Sequence, residues 1–337
     1  MALNVPPAGE KPKITLPPVT APKKLTIAEV AALAGQLIAN VERVVVGKHD
    51  AVTLAVAVWL AEGHLLIEDV PGVAKTMLAR AMALSAGCTF KRIQCTPDLQ
   101  PEDVLGQARL DPATGRSEFH FGPLFSQFVL VDEINRAAPR TQSALLEAMG
   151  EAMVTAGNVS YRLQKPFMVV ATQNPVEQEG TFLLPEAQKD RFLMRLSLGY
   201  PSLADEKQMI ERFQLRHPID ALEPVTTPDH ILRCQDAVRQ VHVPPAVNDY
   251  LLAIVRATRA HPALRLGASP RGSLGLFRAA QAMAAIEGQE SVSAEQVKSL
   301  APQVLAHRFI LRHEENRRGV TAENVVAEIL ARTPPPG

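Results

Sequence analysis

From Leu25 onward the chain alternates two hydrophobic rhythms. The stretch "IAEVAALAGQLIANVERVV" (27–45) repeats apolar residues at helical spacing, and "AVTLAVAVWLA" (Ala51–Ala61) is apolar all round. The second run predicts a buried helix, because it falls short of the roughly 18 residues that suggest a membrane span. "HLLIE" (His64–Glu68) then reads as a short buried strand ending at a Pro-Gly turn, followed by a helix in "TMLARAMALSAG" with Gly87 near its stop. "FKRIQC", "FVLVDE" and "FMVVATQNP" are further strands, and "QSALLEAMGEAM" is helical. Strands that alternate with helices predict an α/β parallel sheet covered on both faces, with ligands at the carboxyl ends of its strands.

Past about Pro201 the strand signal fades. "SLADEKQMIERF" begins with a capping-box pattern at Ser202, and the segments starting at Ala246, Ser269 and Ser293 are helical by period. A second, all-helical unit is therefore expected after residue 203. Residues 1–24, rich in Pro and Lys without apolar periodicity, read as a mobile tail, and 334–337 as a frayed end.

Composition narrows the function. Hydrophobic residues make up 47% of the 337, enough for a proper core. Thirty-five basic and 35 acidic side chains cancel, and aromatics are scarce, so nothing general points to nucleic acid or an anionic membrane. Cys88, Cys95 and Cys234 fit neither a metal pair nor a disulfide framework and read as buried thiols. The start lacks a secretory h-region, so the expected location is cytoplasmic.

Chemistry concentrates at three strand ends. "EDVPGVAKT" (Glu68–Thr76) has the strand, turn and helix of a phosphate loop, but Asp69 and Ala74 stand where G-x-x-x-x-G-K-[ST] has glycines. Lys75 supplies phosphate charge, Thr76 a hydroxyl for Mg²⁺, and Gly72 close backbone approach. Ala74 is tolerable there if its φ stays negative, and Asp69 only if its carboxylate points away from phosphate. Asp132 and Glu133 end a second apolar strand, one suited to hold Mg²⁺ and the other to orient water. Asn174 stands just past the end of the third, placed to contact a γ-phosphate or the attacking water.

These motifs, with "VDEINRAAPRTQSALLEAM", "ATQNPVEQEGTFLLPEAQKDRFLM" and "ASPRGSLGL", resemble the MoxR family of AAA+ ATPases in order from about Leu25 to Thr333. The resemblance implies a P-loop AAA+ parallel-sheet domain over 25–203, carrying a helix-2 insertion and a hairpin before sensor 1, and a helical lid over 204–333. It implies ATP and Mg²⁺ as ligands. Pro71, Gly72, Val73, Ala74, Lys75, Thr76 and Met77 match the Walker A loop, and Asp132 with Glu133 the Walker B pair. Asn174 matches sensor 1, Arg191 the arginine finger that acts on a neighbour's nucleotide, and Arg271 sensor 2. Arg195 is a competitor for the finger but lies in an apparent strand. Val46 and Gly47 resemble the segment lining the adenine pocket. "GQARLDPATGRSEFHFGPLF" and "VTAGNVSYRLQ" resemble the two hairpins, so Phe119, His120 and Phe121 are candidate client contacts, against the alternative that the two phenylalanines pack inward. The function implied is a ring-forming, chiefly hexameric, chaperone-like ATPase that remodels a protein client, with a von Willebrand factor A-type protein as partner. A slow-turnover nucleotide-gated scaffold and a nucleic-acid motor are the alternatives.

Overall fold

The structure, a computed structural model, describes residues 24–110, 117–156, 159–174, 181–213 and 217–336. Most of the N-terminal tail, the turn at Gly157 and Asn158, and the segment after Asn174 lie outside these residues. The chain opens with α1 (Ile27–Glu42). Thr26 caps it reciprocally with Glu29: the Glu29 amide donates to Thr26 Oγ1 at 3.2 Å and the Thr26 amide to Glu29 Oε2 at 2.7 Å. α2 (His49–Leu60) begins with exposed His49 and Asp50 and is buried from Ala55 to Leu60, where the Trp59 ring meets Phe128 edge-on at 5.4 Å. No helix among the described residues is long and apolar enough to cross a membrane.

Next come β1 (Leu65–Glu68), α3 (Lys75–Ser85) and β2 (Phe90–Gln94). A short α4 (Pro101–Leu105) leads into the antiparallel hairpin of β3 (Gly106–Leu110) and β4 (Ser117–Phe121). Then follow β5 (Phe128–Asp132), α5 (Pro139–Glu151), a second hairpin of β6 (Met153–Ala156) and β7 (Val159–Arg162), β8 (Met168–Gln173), α6 (Glu186–Lys189) and β9 (Met194–Leu196). Five of these strands form one parallel sheet in the order β2-β5-β8-β1-β9. Every residue of β5 and β8 is buried, as continuous apolar strands covered on two faces must be. Because β8 lies between β1 and β5, the three chemistry-bearing strand ends emerge side by side.

The remaining chain is mostly helical: α7 (Leu203–Phe213), α8 (Pro228–Val238), α9 (Pro245–Ala260), α10 (Pro270–Ile286), α11 (Ala294–Leu305), α12 (His313–Arg317) and α13 (Ala322–Arg332). It also holds a short antiparallel ribbon that periodicity does not reveal, β10 (Leu264–Leu266) with β11 (Ile310–Leu311). Strands of three and two residues are too short to carry a period. The sequence boundary near 203 is not a break in packing, since one hydrophobic cluster runs from α1 and α2 through β1 into α10 and α11. All three cysteines are free and buried, and burial pushes each thiol up to about 12, so none is a nucleophile near neutral pH.

Candidate active site

At the end of β1 the backbone turns through Gly72 (φ +86°) and Ala74 (φ 62°, ψ 20°) into α3. The expectation of a negative φ at Ala74 is therefore corrected: this residue takes the left-handed conformation that glycine adopts freely, at about 1–2 kcal/mol for an L-residue. No side chain caps α3, so its first-turn N–H groups are left for an anion. Lys75 Nζ folds back to donate to the Asp69 carbonyl at 2.7 Å.

Asp69 does point away. Its Oδ2 accepts from the amides of Leu198 (2.5 Å) and Gly199 (2.7 Å) and from Ser197 Oγ (3.0 Å), and its Oδ1 from the Val70 amide. Burial alone would raise its carboxyl pKa, but these donors outweigh that and lower it below 3.8. The residue that replaces the first glycine thus ties the phosphate loop to the segment leading into the helical unit.

Asp132 ends β5 nearly buried. Its Oδ1 accepts from Thr172 Oγ1 at 2.6 Å, and its Oδ2 accepts from Arg92 through Nη2 (2.6 Å) and Nε (3.1 Å). Glu133 adopts φ 56°, another left-handed non-glycine, with its amide bonded to Thr172 Oγ1 at 2.8 Å. Its carboxylate pairs with Arg136 (3.0 Å) and accepts from Gln94 Nε2 (3.2 Å). Arg92, Gln94, Arg136 and Thr172 escaped sequence reasoning. The polar alternation of "FKRIQC" was the available signal, because β2 sets Gln94 level with Asp132.

Asn174, 4% exposed, follows β8. It joins Pro71, Gly72, Ala74, Lys75, Thr76, Met77, Asp132 and Glu133 around one cavity of about 300 Å³. Val73, by contrast, is buried in the core beneath the loop. Hard oxygen donors from Thr76 and Asp132, with an amide-lined turn opposite, suit Mg²⁺ and phosphate.

A larger cavity of about 910 Å³ begins at Glu68 and reaches the helical unit at Pro302, Gln303 and Glu323. Gly47 (φ +71°) lines it, and a Cβ there would strike the Asp205 carboxylate. Val46 is buried 6% exposed and does not line this cavity. Arg195 also lies on its wall, paired with Glu68 at 2.9 Å and with Glu323.

The other arginines sit elsewhere. Arg191 donates to the Leu146 carbonyl of α5 at 2.7 Å, and its guanidinium lies against Gly150. Arg271 is exposed in the first turn of α10, whose cap Ser269 bonds Asp190, the neighbour of Arg191. Neither arginine lines the small cavity. In the hairpins, half-buried Phe119 stacks on half-buried Tyr161 at 4.7 Å and 13° between planes. Phe121 meets Phe125 at 4.6 Å yet stays 60% exposed, and His120 is exposed.

Comparison with known proteins agrees with this geometry. The ATPase family associated with various cellular activities (AAA) matches residues 64–194, and an AAA lid domain matches 256–329. YeaC of Bacillus subtilis is 47% identical over 299 residues, covering 89% of this chain and 93% of that one. Chaperone MoxR1 of Mycobacterium tuberculosis is 40% identical over 302 residues, 86% of this chain and 79% of that one. A crystal structure of a protein from Cytophaga hutchinsonii superposes with a TM-score of 0.86 at 34% identity, covering 92% of this chain and 97% of that one. With a phosphate loop, an acidic strand end and a helical lid in one continuous match, the chain belongs to the MoxR family of AAA+ ATPases.

Proposed function

We propose that this chain hydrolyses ATP to ADP and phosphate, and does so within a homo-oligomeric ring, a hexamer, whose motion remodels a protein client. The observation that carries the proposal is the convergence of Lys75, Thr76, Asp132, Glu133 and Asn174 on one cavity at three neighbouring strand ends. Lys75 would release the Asp69 carbonyl to meet the β- and γ-phosphates. Thr76 and Asp132 would hold magnesium, whose positive charge would offset that of the phosphates when bound. Glu133 would orient the attacking water and Asn174 contact the γ-phosphate. The nucleoside end would extend toward Gly47 and the larger cavity.

The segments that carry Arg191 and Arg271 are joined by the Asp190–Ser269 bond, and neither arginine lines the chain's own small cavity. That arrangement supports both acting on the nucleotide of an adjoining subunit, where they would stabilise developing phosphate charge. The name of the Mycobacterium relative supports a chaperone-like role, to which we add a cytoplasmic setting and a von Willebrand factor A-type partner. One observation favours a slow, partner-gated form of the same activity: Asp132 and Glu133 are both engaged by arginines. The test is phosphate release alongside nucleotide binding. Lys75→Ala should lose binding, whereas Glu133→Gln should bind ATP and release no phosphate. A Glu133→Gln protein that turns over like wild type would remove Glu133 from its role.

A further inference from the structure

Among the described residues outside the nucleotide cavity, Arg308, just after α11, stands out for its five hydrogen bonds. Its side chain is 3% exposed, and all five of its N–H donors have a partner. Nε donates to Asp190 Oδ1 at 2.9 Å. Nη2 donates to the Phe192 carbonyl (2.6 Å) and the Asp190 carbonyl (3.4 Å). Nη1 donates to the Leu193 carbonyl at 3.3 Å and to that of Val304. Four of these five bonds therefore grip residues 190–193, the backbone that carries Arg191. The Asp190 carboxylate closes the arrangement by accepting from Ser269 Oγ at 2.8 and 3.0 Å.

Packing around the guanidinium is equally specific. A Cβ at Gly272 would lie 3.3 Å from Arg308 Cδ, and one at Gly275 would lie 3.3 Å from Leu193 and 3.5 Å from Arg308 Nη2. Glycine on that face of α10 lets the helix lie against the clamp. None of these residues lines the chain's own phosphate cavity.

We propose that Arg308 and Asp190 are positioning residues through which the helical lid sets the reach of Arg191 toward the adjoining subunit. The inference rests on the reading of Arg191 as an arginine finger. A buried, fully bonded guanidinium transmits displacement without slack, so movement of α10 and α11 moves the backbone on either side of Arg191. Through the same link, a lid responding to its own nucleotide would change catalysis next door.

The experiment mixes full-length subunits that are each inactive alone. Arg191→Ala mixed with Glu133→Gln is the reference, because each partner supplies what the other lacks, and phosphate release should return. Arg308→Lys and Asp190→Asn should each lose turnover by about 100-fold, the scale of an ångström-level misplacement. Each should bind a fluorescent ATP analogue with a Kd within threefold of wild type (on the order of 0.7 kcal/mol or less), which also reports that it folds. Mixed with Glu133→Gln they should regain turnover, and mixed with Arg191→Ala they should not. Rescue by Arg191→Ala but not by Glu133→Gln would place the defect in the variant's own site and overturn the proposal. Near-wild-type turnover of Asp190→Asn, which keeps the volume and hydrogen-bonding shape of the side chain, combined with normal turnover or failure to fold of Arg308→Lys, would overturn it too. If the reference mixture stays inactive, the finger reading itself is wrong, and the proposal falls with it for that separate reason.

Discussion

Replacing Asp69 by alanine should unfasten the phosphate loop from the entrance to the lid. In the native protein one carboxylate oxygen takes two backbone amides and a hydroxyl from residues 197–199. Ser197 is exposed and can turn to water, but the Leu198 amide sits in a residue only 5% exposed, and Gly199 is half-buried. An orphaned buried donor costs about 1–3 kcal/mol, so losing these two acceptor bonds should cost about 2–4 kcal/mol, with the lower values for half-buried Gly199. Asp69→Asn keeps the volume and one acceptor oxygen but loses the charge, and should cost about 1–2 kcal/mol. Urea unfolding gives the loss, and amide exchange localises it to residues 197–199 ahead of the rest of the sheet. The folded pKa of Asp69 lies below 3.8, so this tie is intact above the ordinary carboxylate range and is lost only as pH falls below 3.8 and through the folded value. An Asp69→Ala protein with unchanged exchange at 197–199 and a midpoint shift worth under about 0.5 kcal/mol would refute the reasoning.

Three further outcomes follow from the same geometry. Ala74→Gly removes a left-handed alanine worth about 1–2 kcal/mol while adding about 0.4–1 kcal/mol of unfolded-chain freedom, so melting should rise slightly, whereas Ala74→Val should lower it. His64, fully buried between the Val169 amide and the Met149 carbonyl, has its pKa lowered from 6.5 to about 4, chiefly by burial and partly offset by the Met149 bond. Its unfolded form binds a proton first, so wild type should lose up to about 3 kcal/mol relative to His64→Gln as pH falls from 6.5 to 4, read from denaturation midpoints across pH. Arg92 competes with a cation for Asp132, so Arg92→Met should lower the Mg²⁺ concentration that half-saturates nucleotide binding by several-fold (about 1 kcal/mol for a half-exposed charged hydrogen bond). A higher requirement would mean that Arg92 instead holds Asp132 ready.

Much of this was legible in the chain. The buried strands announce themselves because both faces of the sheet are covered, so β5 and β8 read as unbroken apolar runs. Asp132, the last residue of β5, and Asn174, the first residue past β8, mark the site because buried polar groups at strand ends face a cavity rather than the apolar core. What could not be read is what depends on nonlocal pairing. Asp69 looked like an intruder until its partners, some 130 positions onward, gave it a purpose. Propensity favours negative φ at Ala74, and it yields there to the geometry of the loop. Arg92 reaches Asp132 only because β2 and β5 are neighbours in the sheet. Arg308 carries no local motif, and its importance comes from burial against residues more than 100 positions earlier.

In the proposed ring, each active site is completed by the adjoining subunit. This is tested most directly by ATP hydrolysis per subunit across a wide range of protein concentration, with Arg191→Ala in parallel. Specific activity of the wild type should rise with concentration to a plateau, while Arg191→Ala assembles, binds nucleotide and stays inactive throughout. Activity that is flat with concentration, or an Arg191→Ala protein that hydrolyses ATP at the wild-type rate, would contradict the account.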